Sequence, residues 1–184
     1  MKKKRKNTKS KNPTIHEKMT KKILISVIIL ALIIFLLWNV SVLIVPPSEP
    51  SNVEKVKFDS RENFLFKIET WTYPMKGWVT TLENNNTTIP LGFAGQTYEL
   101  NFGKIPIKSN STKFINFNTM DVAKVEFYKY GNISPYVIIP KNFELKNQSK
   151  EVKIIFTGTE PGNYTGFLVI RTIVPKNRII ERVL

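Results

Sequence analysis

The stretch Ile23–Val45 reads ILISVIILALIIFLLWNVSVLIV and contains no charged residue over its 23 positions. As an α-helix, which rises ~1.5 Å per residue, it would be about 34 Å long and would cross the hydrocarbon core of a bilayer. It lacks the polar face that a helix of a soluble protein shows to water. The stretch therefore predicts a transmembrane helix with the lipid bilayer as its partner.

The residues before this stretch are strongly basic. Residues 1–22 contain ten Lys and Arg and one acidic residue, a net charge of +9, whereas the rest of the chain carries only +5. Because this segment has no apolar period, we expect a disordered tail. A nucleic-acid signal is the alternative interpretation of the Lys2–Lys6 run, but the run lies within about 20 residues of a predicted span. The positive-inside rule therefore predicts a cytoplasmic tail and no nucleic-acid partner.

A cleaved signal peptide is the alternative to a permanent anchor. The apolar region of a signal peptide is typically ~7–15 residues long and ends at a small-residue cleavage site. Here the apolar run is longer and leaves through Val45-Pro46-Pro47, so we expect an uncleaved signal-anchor. Residues 46–52, which begin PPSEP, are predicted as a stiff Pro-rich stalk because proline ends a helix and restricts the chain.

From Val53 onward the sequence changes to a period of two. Apolar and polar residues alternate in FLFKIETW, YELNF, AKVEF and EVKIIF, and turn-forming residues separate these runs. This pattern is typical of antiparallel strands with one buried face, so residues 53–184 are predicted as an all-β sandwich. The residues predicted to point inward are Phe64, Phe66, Ile68, Tyr98, Leu100, Phe102, Ala123, Val125, Phe127, Val152, Ile154 and Phe156.

The residue inventory argues against most catalytic sites. The chain has no cysteine, and its single histidine, His16, precedes the apolar stretch. Serine-histidine and cysteine-histidine nucleophiles and the usual zinc sites are therefore excluded from the β region. Its acidic residues are scattered, and Glu99, Glu126 and Glu151 occupy outward strand positions where a solvated charge is expected. We predict no enzymatic activity, no cofactor and no metal.

Two features of the β region suggest surface roles. Six Asn-x-Ser/Thr sequons fall in predicted turns, where an N-linked glycan can be accommodated, although turns are rich in these residues in any case. Three aromatic residues flank the segment Pro74–Gly77 and predict an exposed binding surface for sugar or protein, unless they cap one end of the sandwich as core. The sequon asparagines are Asn85, Asn86, Asn110, Asn132, Asn147 and Asn163, and the aromatic residues are Trp71, Tyr73 and Trp78.

Residues 98–184 contain spaced motifs of a known kind of domain. These motifs are Leu100-Phe102-Gly103, Ser111 through Phe117-Asn118, Ile138-Pro140-Phe143-Leu145, Val152-Ile154-Phe156 and Pro161-Gly162-Tyr164-Gly166-Leu168-Ile170. The region resembles the immunoglobulin-like domains of the major sperm protein and ASH type, and the related β-sandwich repeats of prokaryotic membrane-anchored surface proteins. It lacks the usual turn between Asn118 and Tyr130. The resemblance implies an Ig-like sandwich and says little about function, since such sandwiches host many roles.

Two local features complete the expected sandwich. Tyr164 follows a Pro-Gly turn, and we expect a tyrosine corner in which its ring enters the core and its hydroxyl binds a nearby backbone group, although an ordinary core tyrosine fits as well. The segment Pro175–Arg178 is predicted as a hairpin turn that makes Arg178–Leu184 the last strand.

Together these patterns predict a single-pass protein of the cell membrane, with its N-terminus in the cytoplasm and one Ig-like domain at the cell surface. A structural or protein-binding role is the leading interpretation. The alternatives are an accessory subunit of a membrane complex, for secretion, envelope assembly or an enzyme system, and a glycan-binding surface module.

Overall fold

The computed structural model describes residues 15–51, 53–81 and 99–177. The chain divides into two compact units, Met1–Ile44 and Val45–Leu184. Residues 1–14 of the predicted tail, part of the turn region around Asn85 and Asn86, and the predicted last strand Arg178–Leu184 lie outside the described residues.

The described part of the first unit is the helix α1, which extends from Ile15 to Ile44. It begins eight residues before the predicted span, so residues 15–22, which we expected to be disordered, are helical. An existing helix extends at low cost through good helix formers such as lysine and glutamate. The segment Lys22–Ser41 is long and apolar enough to cross a membrane, a property that signal sequences share.

The polar side chains near the end of α1 are bonded within the helix. The Asn39 Nδ2 group donates a hydrogen bond to the Phe35 carbonyl at 2.9 Å, and the Ser41 hydroxyl donates one to the Trp38 carbonyl at 2.8 Å. Internal bonding of this kind is what a polar group needs in hydrocarbon.

The described residues of the second unit form a seven-stranded sheet, which confirms the prediction of a mostly β fold. Every described strand pair is antiparallel except β2 and β3, which are parallel. The order is β1-β2-β7-β4-β6-β5, with β3 on the edge of β2 beyond β1. The strands are β1 Lys57–Glu62, β2 Phe66–Thr80, β3 Leu100–Pro106, β4 Asn110–Tyr130, β5 Val137–Ile138, β6 Phe143–Thr157 and β7 Gly162–Pro175.

Strand β4 changes its hydrogen-bonded partner along its length. Its first part pairs with β6 as far as Val125, and its last part pairs with β7 from Lys124 to Tyr130. The sheet folds over as a result, and the Phe156 ring on β6 lies 5.4 Å from the Phe102 ring on β3, although these strands are not neighbours. The core fills the space between the two parts of the sheet.

Most of the predicted inward rows are confirmed. The predicted inward residues that are buried on the core side are Leu100, Phe102, Ala123, Val125, Phe127, Val152, Ile154 and Phe156. The prediction for Phe66 and Ile68 is wrong: both are buried, but they alternate with the core-facing positions of β2, such as Trp71, and so lie on the face away from the core. The prediction for Phe64 is wrong, because it lies in the β1–β2 turn and is 73% exposed. The Asn63 side chain organises that turn by accepting hydrogen bonds from the backbone amides of Leu65 and Phe66 at 2.9 and 2.6 Å. Tyr98 lies outside the described residues.

Two segments that commonly interrupt strands lie inside strands here. The segment Lys146–Ser149 is one of the turn-forming stretches expected to separate the strand runs AKVEF and EVKIIF. It lies inside β6 instead, where Asn147 has a φ of 46° opposite an irregularity in β4. Asparagine tolerates this left-handed conformation, so a local distortion replaces the turn. Pro74 and Gly77 lie inside β2. Pro74 stands between the last residue paired with β1 and the first paired with β3, where an amide facing that edge would have no ladder partner.

The tyrosine corner is confirmed. The Tyr164 hydroxyl donates a hydrogen bond to the Glu160 carbonyl at 3.0 Å. Its ring centroid lies 4.3 Å from that of Tyr136 and 5.9 Å from that of Phe156, so the ring packs against the core.

Candidate functional site

Strand β2 separates the three aromatic residues of the predicted binding surface. Successive side chains of a strand point to opposite faces, so Trp71 and Tyr73 share the inner face and Trp78 occupies the outer one. Trp71 and Tyr73 are partly buried against the core, as the alternative interpretation expected. Trp78 is 49% exposed, and the Lys104 Nζ atom lies 4.8 Å from its ring centroid. The structure therefore brings together two of the three residues.

Trp71 and Tyr73 line a cleft of about 390 Å³ where β4 diverges from β2 and β7. This volume is in the range of about 300–1,000 Å³ that small-molecule sites occupy. Aromatic and aliphatic side chains form much of its wall, and charged and polar groups from β2, β4 and β7 complete the lining. The lining residues are Lys67, Glu69, Trp71, Tyr73, Ile115, Asn116, Phe117, Asn118, Thr119, Asp121, Ala123, Val125, Leu145, Ile170, Thr172 and Val174.

The cleft can bind a ligand through charged side chains and through a neutral tyrosine hydroxyl. The Lys67 Nζ atom lies 2.7 Å from the Glu69 Oε1 atom, and this hydrogen bond raises the pKa of Lys67. Burial raises the pKa of Tyr73, so its hydroxyl stays neutral and can donate a hydrogen bond. Phe58 on β1 extends the aromatic surface, since its ring centroid lies 4.4 Å from that of Trp71.

The four described sequon asparagines are all exposed. Three of them contradict the prediction that sequons occupy turns, because Asn110 begins β4, Asn147 lies within β6 and Asn163 is the second residue of β7. Asn132 does lie in a turn, where its Oδ1 atom accepts a hydrogen bond from the Thr165 amide at 2.7 Å. Asn85 and Asn86 lie outside the described residues.

A buried ionic cluster lies on the face of β4 and β7 that points away from the core. Glu126, predicted to be solvated, is only 4% exposed, as is Arg171 directly opposite it on β7. The Arg171 Nε and Nη2 atoms donate hydrogen bonds to Glu126 Oε2 at 2.8 and 2.5 Å. Lys124 Nζ lies 3.1 Å from Glu126 Oε1. The prediction failed because alternation identifies the face of a side chain but not what covers that face.

Two backbone carbonyls contact this cluster, one from Val45 at the end of the predicted span and one from Pro47 in the predicted stalk. The Arg171 Nη1 atom donates a hydrogen bond to the Val45 carbonyl at 2.6 Å. The Tyr130 hydroxyl donates one to the Pro47 carbonyl. The first residues after α1 are therefore bound to the sheet. A signal for the cluster was present in the sequence, since Arg171 is the single charge in the apolar strand FLVIRTIV.

The pKa values of the cluster follow from its contacts. Burial alone would raise the pKa of Glu126, but hydrogen bonds from Arg171, Lys124 and Tyr128 outweigh it and lower the pKa below its usual value. Burial, together with the hydrogen bond that its hydroxyl donates to Glu126 at 2.9 Å, raises the pKa of Tyr128 to about 12. Near neutral pH, Glu126 is therefore ionised and Tyr128 is neutral.

The described residues contain no group of three or more acidic or histidine side chains arranged to hold a metal ion. Comparisons with models of protein families, with curated proteins and with solved structures find no match to this chain. Its function must be inferred from its own residues.

Proposed function

We propose that this chain is a single-pass membrane protein that displays its β unit outside the cell as an Ig-like sandwich with a structural or protein-binding role. The observation that carries the proposal is the arrangement of charge around α1. An uncharged stretch of spanning length, Ile23–Val45, follows a tail with a net charge of +9, and the β unit begins beyond it. The positive-inside rule then assigns the tail to the cytoplasm and the β unit to the cell surface.

Three features support the sandwich assignment. Strand β4 passes from pairing with β6 to pairing with β7, and strands that change sheets in this way form the corners of sandwiches. The Tyr164 corner is typical of such domains. The motifs of residues 98–184 resemble those of the major sperm protein and ASH type.

Single-cysteine labelling tests the topology without background, because the chain has no cysteine. Ser10→Cys marks the tail and Thr159→Cys marks an exposed site of the β unit. In spheroplasts, a membrane-impermeant maleimide should label the Thr159→Cys variant at once and the Ser10→Cys variant only after lysis. The reverse pattern would overturn the topology.

The permanent anchor needs a separate measurement. Mass spectrometry of the protein purified from membranes should find peptides from residues 1–22 on the same chain as the β unit. A mature N-terminus near Ser48 would instead show that the apolar segment is a cleaved signal.

The cleft favours glycan binding as a second candidate function. A sugar ring would stack on Trp71, and its hydroxyls would bond to Glu69, Asp121 and Thr172 at the polar part of the lining. We expect short neutral oligosaccharides to change the tryptophan fluorescence of the full chain. Trp71→Phe should abolish the response, whereas Trp78→Phe, a matched change on the opposite face, should retain it. Equal responses from the two variants would exclude the cleft as the site.

A further inference from the structure

The ionic cluster of β4 and β7 is arranged so that it binds one particular segment of the chain, the residues that follow α1. Glu126 and Arg171 are paired residues on adjacent antiparallel strands, and both are buried on the face away from the core. The carboxylate holds the guanidinium through Nε and Nη2, and Tyr128 accepts a further hydrogen bond from Nη2 at 2.8 Å. This arrangement directs Nη1 at the Val45 carbonyl.

The segment that receives these donors can be bound only in certain ways. Pro46 and Pro47 have no backbone N–H, so this part of the chain cannot join the sheet as an ordinary hydrogen-bonded strand. It still presents carbonyls, and proline restricts both itself and the residue before it to extended conformations. Side-chain donors such as a guanidinium and a phenol are therefore the groups that can fasten it, and Arg171 and Tyr130 supply them at Val45 and Pro47.

Stability alone does not explain a charged pair in this position. Burying two charges costs desolvation energy, and a pair of well-packed apolar residues is often as stable or more so. An apolar pair, however, would select no particular carbonyl. Arginine also differs from lysine here, because only its planar fork donates to a carboxylate and to a separate carbonyl in fixed directions.

We propose that Glu126, Tyr128, Tyr130 and Arg171 form a latch that fastens the chain at Val45–Pro47 to the β unit. The attachment begins at Val45, the first residue after the end of α1 at Ile44, so the predicted stalk is bound to the sheet at its start. This inference does not depend on the topology proposed above, because the latch involves only residues of the β unit.

Proteolysis at Glu49, an exposed residue two positions beyond Pro47, tests the latch in the full chain in detergent micelles. Because proline follows Glu49 and blocks cleavage, the parent chain and all variants carry Pro50→Ala in this assay. A glutamate-specific protease should cleave after Glu49 slowly in the parent chain, since the fastened segment resists binding to the protease. Tyr130→Phe should raise this rate about three- to tenfold and Arg171→Lys roughly tenfold or more, the factors expected for losing a neutral and a charge-assisted hydrogen bond.

Lys124→Met is the matched control. It removes another partner of Glu126 from the same cluster, yet no hydrogen bond or ion pair found in the described residues joins Lys124 to Val45–Pro47. We expect it to leave the cleavage rate at Glu49 unchanged. Circular dichroism of each variant checks that the sheet remains folded, and Tyr130→Phe carries the test if Arg171→Lys does not fold. Unchanged cleavage in Tyr130→Phe, or equal acceleration by Lys124→Met, would overturn the latch.

Discussion

Gly77 gives the sharpest test of how the two parts of the sheet pack. It lies within β2 opposite Tyr164, and a Cβ atom there would stand 2.5 Å from Cε1 and 2.8 Å from Cζ of the Phe156 ring. Phe156 is fully buried, so its ring has little space to move away. We therefore expect Gly77→Ala to cost about 1–3 kcal/mol through overpacking. The backbone conformation at this position can accept alanine, because Gly77 does not have a positive φ.

Without the clash, the same substitution would stabilise the protein. Alanine reduces the conformational freedom of the unfolded chain and is worth ~0.4–1 kcal/mol where the backbone accepts it. The net loss should thus lie between about 0 and 2.6 kcal/mol. In a Phe156→Leu background, which removes the obstructing ring atoms, Gly77→Ala should become neutral or stabilising, with a coupling energy of about 1 kcal/mol or more.

Denaturant unfolding of the full chain in detergent, followed by tryptophan fluorescence, measures both effects. Gly103→Ala is the control, because among the described residues no atom beyond its own chain neighbours lies within 4 Å of its Cβ position, and its φ of 74° alone makes alanine unfavourable. Its cost, ~1–2 kcal/mol, should be the same in both backgrounds. If Gly77→Ala costs as much beside leucine as beside phenylalanine, the packing of β6 over β2 is wrong.

Three further predictions concern the core and the ionic cluster. Phe156→Ala should cost ~3–5 kcal/mol, because it leaves a cavity in the core, whereas Lys153→Ala on the exposed face of the same strand should stay within about 0.5 kcal/mol in the same unfolding assay. The pKa of Glu126 is lower in the folded state than its ordinary value of 4.5, so its contribution to stability should be present above that pH and be lost on acidification; Glu126→Gln should flatten this part of a stability–pH curve. The pKa of Tyr128 is raised to about 12 from 10.0, so stability should fall as pH rises between these values, and Tyr128→Phe should reduce that fall.

The alternation of apolar residues was sufficient to predict most of the core. In a strand with one buried face, every second residue must leave water, so Leu100, Phe102, Val152, Ile154 and Phe156 could be assigned from the sequence. The same rule would have separated Trp71 and Tyr73 from Trp78, had β2 been continued through Pro74 and Gly77. Proline and glycine usually interrupt a strand. Here β2 can include them because Pro74 faces the gap between β1 and β3 and Gly77 faces the Phe156 ring, and sequence patterns reveal neither neighbour.

The ionic cluster could not be predicted in the same way. Glu126 and Arg171 are 45 positions apart in sequence, and both stand at positions that alternation assigns to the face away from the core. A charge on such a face is solvated by default, and only a third element that covers the face makes the charge a buried partner. Here that element includes Val45 and Pro47. Sequence reasoning assigned Val45 to the end of the membrane span and Pro47 to a stalk, because prolines resemble a spacer when their carbonyl partners are unknown.

Strand β6 shows why an interrupted pattern has two structural solutions. Its inward residues are Leu145 before the polar segment and Val152 after it, so the row changes from odd to even positions. Such a change has two possible causes. A turn can start a new strand, or one distorted residue can shift the alternation of faces by one position within the same strand. The sequence of β6 fits both. The partner strand decides between them, because β4 continues without a turn from Asn110 to Tyr130 and offers a ladder on both sides of its own irregularity between Thr119 and Val122. Keeping that ladder preserves backbone hydrogen bonds that a turn would leave to solvent, and the left-handed conformation of Asn147 is the smaller cost.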